Sequence, residues 1–337
     1  MWLLSTDRAE LHYFVGPQAA PGGYAILSHV WGAHEQTFQD LQALRESCAS
    51  IHSGDSGTED TPRPMMSSNP RDHVSEKIRQ SCILAQSYDY QWIWNDTCCI
   101  DKSSSNELSE AINSMNHYYT LSEVCFAYLA DVSPGAPINE ANHEFMNSRW
   151  HKRGWTLQEL IAPYVLVFVA SDWSCIGTKH DLAPLLEKIT QVPAAVLRSE
   201  DEPARFSVAQ RMSWAKGRET TRPEDRAYSL LGIFQISMTT LYGEGDRAFA
   251  RLQEKIMKTS TDTSLFAWGS QLPWNSFHNL VEEETHYHDH PLSDLYLLSG
   301  SPEGFVKSGS VVFDASCSSL ATSKEVRRVT IEYRLLY

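Results

Sequence analysis

Four apolar, β-favouring runs recur through the first half of this 337-residue chain: YAILSHVW (24–31), YQWIWND (90–96), EVCFAYLADV (123–132) and VLVFVASDW (165–173). Helix-patterned segments lie between them. SEKIRQSCILAQSY (75–88) puts Ile78, Cys82 and Ala85 on one face. SSSNELSEAINSMNHYY has Ser104 and Glu107 at capping-box spacing ahead of a stripe of Leu108, Ala111, Ile112, Met115 and Tyr119. RWHKRGWTLQELIA (149–162) carries Trp150, Trp155, Leu157 and Leu160, and Pro163 stops it. Strands that alternate with helices predict an α/β fold: a mostly parallel sheet with helices on both faces, spanning residues 1–175.

Within that region, residues 51–72 (IHSGDSGTEDTPRPMMSSNPRD) are rich in Ser, Gly, Pro and Asp without apolar periodicity and read as a flexible insertion. From 176 to about 268 the pattern is helical. SVAQRMSWAKGR (207–218) is one segment. TTRPEDRAYSLLGIFQI is a second, opening with Thr221 and Glu224 at capping-box spacing, and GEGDRAFARLQEKIMKTS (243–260) is a third. The runs YLLSG, GSVVF and RRVTIEYRLLY of 269–337 look like strands. A chain ending inside a strand is expected to continue, since the terminal strand needs a partner for its backbone groups.

A formal charge of −14, from 28 basic and 42 acidic residues, opposes general nucleic-acid binding, because phosphate contacts need clustered Lys and Arg. Seven cysteines make an odd count without a small-scaffold spacing, which fits a reduced, cytoplasmic chain. No run reaches the roughly 18 apolar residues of a membrane span.

Cys98 and Cys99 invite a metal reading, but no second ligand pair lies nearby, and two small buried residues at a strand end account for them equally simply. HYHDH (286–290) is a His-rich stretch open to metal binding or to plain solvation. Neither makes a metal site the expectation. The ends of the first two long strands are more informative, since open α/β sheets bind ligands beyond the carboxyl ends of their strands. Ser28, His29, Trp31 and Gly32 lie at one such end, as ligand-lining groups or as turn packing. Asp96 lies at the other and either contacts a ligand or caps the following turn. In RGWTLQEL, helical spacing puts Trp155 and Glu159 on one face. That arrangement raises a carboxyl pKa and offers a wall for a planar ring, or it belongs to an amphipathic helix whose Glu159 is solvated or paired with Arg153 or Lys152.

YAILSHVWG, WNDTCCIDKSSSNELSEAINSM, SRWHKRGWTLQELIAP, SVAQRMSWAKGRETTRPEDRAYSLLGIF and LYGEGDRAFARLQEKI, in this order, resemble the fungal heterokaryon-incompatibility (HET) domain over roughly residues 1–268. The resemblance implies a role in non-self recognition that ends in growth arrest or cell death. It also implies a core similar to the flavodoxin-like Toll/interleukin-1 receptor (TIR) fold. SRWHKRGWTLQEL is similar to the TIR pattern that precedes a Glu-Leu pair, and in NAD-cleaving TIR domains that glutamate is catalytic. Its equivalent here is Glu159, with Ser28, His29, Trp31, Gly32, Asp96, Arg153 and Trp155 as the implied substrate-binding set. NAD or NADP is then substrate and no cofactor is required. Self-association or a partner incompatibility protein is expected, and an adaptor that signals by assembly without chemistry is the alternative. Two positions depart from the pattern: Asn95 stands where HET domains have an apolar residue, and Thr156 replaces the TIR cysteine.

Overall fold

The computed structural model describes residues 1–53, 67–136, 138, 143–269 and 298–313. Its centre is a seven-stranded sheet in the order β2-β1-β4-β3-β5-β6-β7. The strands are β1 (Trp2–Ser5), β2 (Leu11–Tyr13), β3 (Ala25–His29), β4 (Trp92–Trp94), β5 (Val124–Tyr128), β6 (Leu166–Val169) and β7 (Cys175–Thr178). The four apolar runs form the parallel centre: β3 pairs with β4 on one side and β5 on the other, and β6 follows β5. β3 and β5 are buried along nearly their whole length, as expected for strands covered on both faces.

Antiparallel strands extend both edges, so the sheet is mixed rather than parallel throughout. β1 and β2 form a hairpin whose Leu4 pairs with Ile93 of β4, and Trp2 meets Tyr13 edge-on across it. At the other edge β7 runs back along β6.

The helices are α1 (Phe38–Ser53), α2 (Glu76–Ser87), α3 (Ser105–Thr120), α4 (His143–Asn147), α5 (Thr156–Ile161), α6 (Ala183–Thr190), α7 (Ala194–Leu197), α8 (Val208–Ser213), α9 (Asp225–Tyr228), α10 (Leu231–Phe234) and α11 (Arg247–Thr259). α1 and α2 connect β3 to β4. α3 then crosses to β5, reversing direction along the sheet, and α5 leads into β6. The parallel strands thus run 2-1-3-4, a doubly wound order that opens a crevice at the carboxyl ends of β3 and its neighbours.

Several expectations change in detail. α1 continues to Ser53, and residues 67–72 are docked: Pro70 is buried and Arg71 donates to the Thr6 carbonyl at 2.9 Å. Residues 54–66, in the middle of the expected insertion, lie outside the described residues. The segment 149–162 is not one helix. A 3-10 turn, Arg149–Lys152, breaks at Arg153-Gly154 before α5 begins, and there Gly154 N–H bonds the Glu219 carbonyl while Glu219 N–H bonds the Lys152 carbonyl. A side chain at Gly154 would meet Thr220, so the close approach needs glycine.

The Thr221–Glu224 capping box does not form. Glu224 instead receives the N–H groups of Gly243 and Gly245 at 2.7 and 3.0 Å, and Tyr242 donates to Asp225 at 2.9 Å. The charged stretches RPED and YGEG are therefore one mutual clamp. GSVVF (309–313) carries no strand, a 3-10 turn (Pro302–Phe305) precedes it, and RRVTIEYRLLY and HYHDH lie outside the described residues. Buried residues of the sheet region and the helical region form one continuous core, with α10 packed on α3.

Candidate active site

The end of β4 turns through an Asx motif made by Asn95. Its side-chain oxygen accepts from Thr97 N–H and Oγ1 at 3.2 and 2.8 Å, and its carbonyl receives the N–H groups of Cys98 and Cys99. Asn95 therefore does the capping that was one reading of Asp96. Asp96 is left to face the crevice, where its Oδ2 accepts the Trp31 indole N–H at 2.7 Å. Cys98 and Cys99 are buried free thiols inside this turn.

From β3, Ser28 and His29 both end up buried. Ser28 Oγ donates to the Glu159 carboxyl and accepts the Trp150 indole N–H at 2.8 Å. The break at Arg153-Gly154 makes this possible, because it lets the 3-10 turn carry Trp150 under β3 while α5 points Glu159 at the same hydroxyl. The Tyr119 hydroxyl of α3 completes the setting, bonding the Leu27 carbonyl at 3.1 Å and standing at the Glu159 carboxyl.

Glu159 is only 3 % exposed. Burial, aided by the nearby Asp96 charge, pushes its carboxyl up to about 7 against the opposing pull of Ser28, Arg153 and Tyr119. A carboxyl titrating near neutrality in a crevice is a common catalytic setting. His29 is held neutral, its pKa driven well below the usual range by burial and by the neighbouring Lys77 charge. Its Nε2 lies 3.8 Å from Asp96 Oδ1 and 4.0 Å from Glu35 Oε1. Both His29 ring nitrogens, Asp96 Oδ1, Asn95 Nδ2 and Arg153 Nε are buried without a hydrogen-bond partner. Such groups cost free energy unless something polar meets them.

The outer wall is Trp31, 40 % exposed, with Lys102 Nζ 3.9 Å and Arg153 Cζ 5.1 Å from its ring centroid. Gly32 is exposed outside the left-handed region and donates its N–H to Glu35, which is ion-paired with Lys77. Trp155 stands apart: it occupies the N-cap of α5 and turns to the Asp225 carboxylate, so the indole in the Glu159 hydrogen-bond chain is that of Trp150. Ser28, His29, Trp31, Asp96, Arg153 and Glu159 are thus brought together.

Trp150, Tyr119 and Lys102 were not singled out in the sequence. The first two were read as apolar stripe, although a buried Trp or Tyr must place its polar tip somewhere. A cavity of about 400 Å³ lies beside this cluster, between Lys77 and the stacked pair Tyr128–Trp173, and a second of about 250 Å³ lies under Trp2 and Trp94; Glu159 lines neither.

Residues 24–138 match the family model described as Heterokaryon incompatibility protein (HET), and residues 247–334 match a domain of unknown function, DUF8212. The chain is 38% identical over 242 residues to the Vegetative incompatibility protein HET-E-1 of Podospora anserina, covering 70% of this chain and 16% of that protein. It therefore spans about a sixth of that relative's length. No solved structure matches. Among the described residues, no helix is long and apolar enough to cross a membrane.

Proposed function

This chain carries a heterokaryon-incompatibility domain, and from that premise we propose that it is an effector module of vegetative incompatibility whose Glu159 centre cleaves NAD. The observation that carries the reading is the buried Glu159 carboxyl, held by Ser28 at the doubly wound crevice and titrating near 7. Scission of the nicotinamide–ribose bond sends the bonding electron pair to the ring nitrogen, so nicotinamide leaves neutral and the ribosyl carbon becomes oxocarbenium-like. A carboxylate close to that carbon stabilises the developing charge, and water then adds and loses a proton. Asp96 and His29 are the polar groups available to ribose hydroxyls, and Ser28 orients the carboxyl. Growth arrest, NAD as substrate and a cytoplasmic setting belong to this proposal.

One observation favours a second reading, an assembly adaptor without chemistry: the Glu159 carboxyl is closed off and already satisfied by Ser28. Expression of the chain in a fungal cell separates the two. The effector reading predicts arrest with a collapsing NAD pool, both abolished by Glu159→Gln. Arrest with an intact NAD pool in wild type and variant alike supports the adaptor instead.

A further inference from the structure

We propose that Lys102 and Arg153, which converge on the Trp31 indole, form an anion subsite that takes the diphosphate of a dinucleotide. The inference rests on the reading of Glu159 as the centre at which that dinucleotide is cleaved. It adds Lys102, from the turn after β4, to the residues that select the ligand.

Lys102 Nζ lies 3.9 Å and Arg153 Cζ 5.1 Å from the centre of the same ring. Among the described residues no carboxylate comes within ion-pair distance of either cation, although acidic residues outnumber basic ones 42 to 28. Asp96, the nearest candidate, accepts the Trp31 N–H through Oδ2 at 2.7 Å and makes no ion pair with Lys102 or Arg153, and Glu35 is paired with Lys77. Lys102 has one weak bond, to the Thr97 carbonyl at 3.4 Å, and Arg153 Nε has no partner while buried. Two cations gathered on one indole, with carboxylates nearby but none in ion-pair contact, repel each other. An anion between them relieves that repulsion and satisfies the open donors.

The subsite lies outside the buried Glu159, whose carboxyl feels the Arg153 charge. A diphosphate seated there leaves the attached ribose and its leaving group directed inward to the carboxyl. A ligand without phosphate would leave both cations unanswered.

Isothermal titration of the full chain with ADP-ribose, inorganic pyrophosphate and nicotinamide riboside tests the subsite without turnover. Wild type is expected to bind ADP-ribose and pyrophosphate with salt-sensitive affinity and nicotinamide riboside at least tenfold more weakly. Lys102→Ala and Arg153→Ala should each weaken ADP-ribose binding about tenfold or more, and Lys102→Arg should restore it to within about threefold. Thermal unfolding of Lys102→Ala and Arg153→Ala, expected to stay a cooperative transition near that of wild type, separates loss of binding from loss of fold. Wild type that binds neither phosphate ligand, or binding unchanged in both alanine variants, overturns the subsite. Binding that needs Lys102 and Arg153 in a protein that never cleaves NAD keeps the subsite and discards the hydrolase, whereas cleavage indifferent to both cations discards the subsite alone.

Discussion

The hydroxyl of Ser28 on β3 donates to the carboxyl of Glu159 on α5, 131 residues later in the chain, while accepting the Trp150 indole N–H at 2.8 Å. All three side chains are buried, and among the described residues this hydroxyl is what joins the buried Trp150 donor to the buried acid.

Ser28→Ala therefore orphans the buried Trp150 N–H and removes one of the two hydroxyls at the Glu159 carboxyl, leaving Tyr119. A loss of about 2 kcal/mol in urea unfolding is expected, because one buried donor is left unsatisfied and the acid loses a partner. A loss below about 1 kcal/mol would mean that water replaces the hydroxyl freely.

The Glu159 carboxyl, raised to about 7 from an unfolded value near 4.5, makes the folded state hold a proton that the unfolded chain has released. Stability from this group falls as pH rises from 4.5 through 7, by about 3 kcal/mol in all. Glu159→Gln removes the dependence, so the variant should gain on wild type from pH 5 to pH 8.5 in parallel denaturation series. A difference independent of pH contradicts the shift.

His151 responds in the opposite direction. Burial among Phe145, Trp150 and Phe168, with the Arg218 charge nearby, lowers its pKa to about 3. Below pH 6.5 the unfolded chain takes up a proton that the folded chain refuses, so stability falls with pH, by about 3 kcal/mol between 6.5 and 4. His29 adds a loss of the same sign. Two histidines outweigh the one carboxyl in that window, and wild type is expected to weaken in acid. His151→Phe should flatten the fall between pH 6.5 and 4; an unchanged slope would place the proton uptake elsewhere.

Gly232 of α10 faces Asn116 of α3 so closely that an added Cβ would stand 2.2 Å from the Asn116 Cβ. Gly232→Ala should cost about 3 kcal/mol by forcing the two helices apart. Because one core joins the sheet and helical regions, unfolding followed by far-UV and tryptophan signals should remain a single transition. Two separated transitions would show that the regions are held independently.

The parallel centre of the sheet was legible because its strands are apolar runs bounded by turn residues, a pattern that burial on both faces imposes. The edges were not. β1 and β2 are three or four residues long and joined through Ala9 at positive φ, and β7 is a half-exposed CIGT with no apolar signal. Glu159, Ser28 and Asp96 could be suspected from their places at strand ends and in a helix-like motif. Their mutual contacts could not, since they depend on the break at Arg153-Gly154 that brings Trp150, rather than Trp155, into the hydrogen-bond chain. Asn95, noticed only as a departure from an apolar position, is the residue that frees Asp96.

The most direct test of Glu159 as a catalytic carboxylate is nicotinamide release from NAD by the purified, concentrated chain, followed by NMR at pH 7.5 for wild type and Glu159→Gln, both confirmed as folded. The account predicts steady release by wild type and at least a hundredfold less by the variant, the scale on which removal of a charge-stabilising group acts. Equal release by the two proteins, or none by wild type even when assembled, would contradict it.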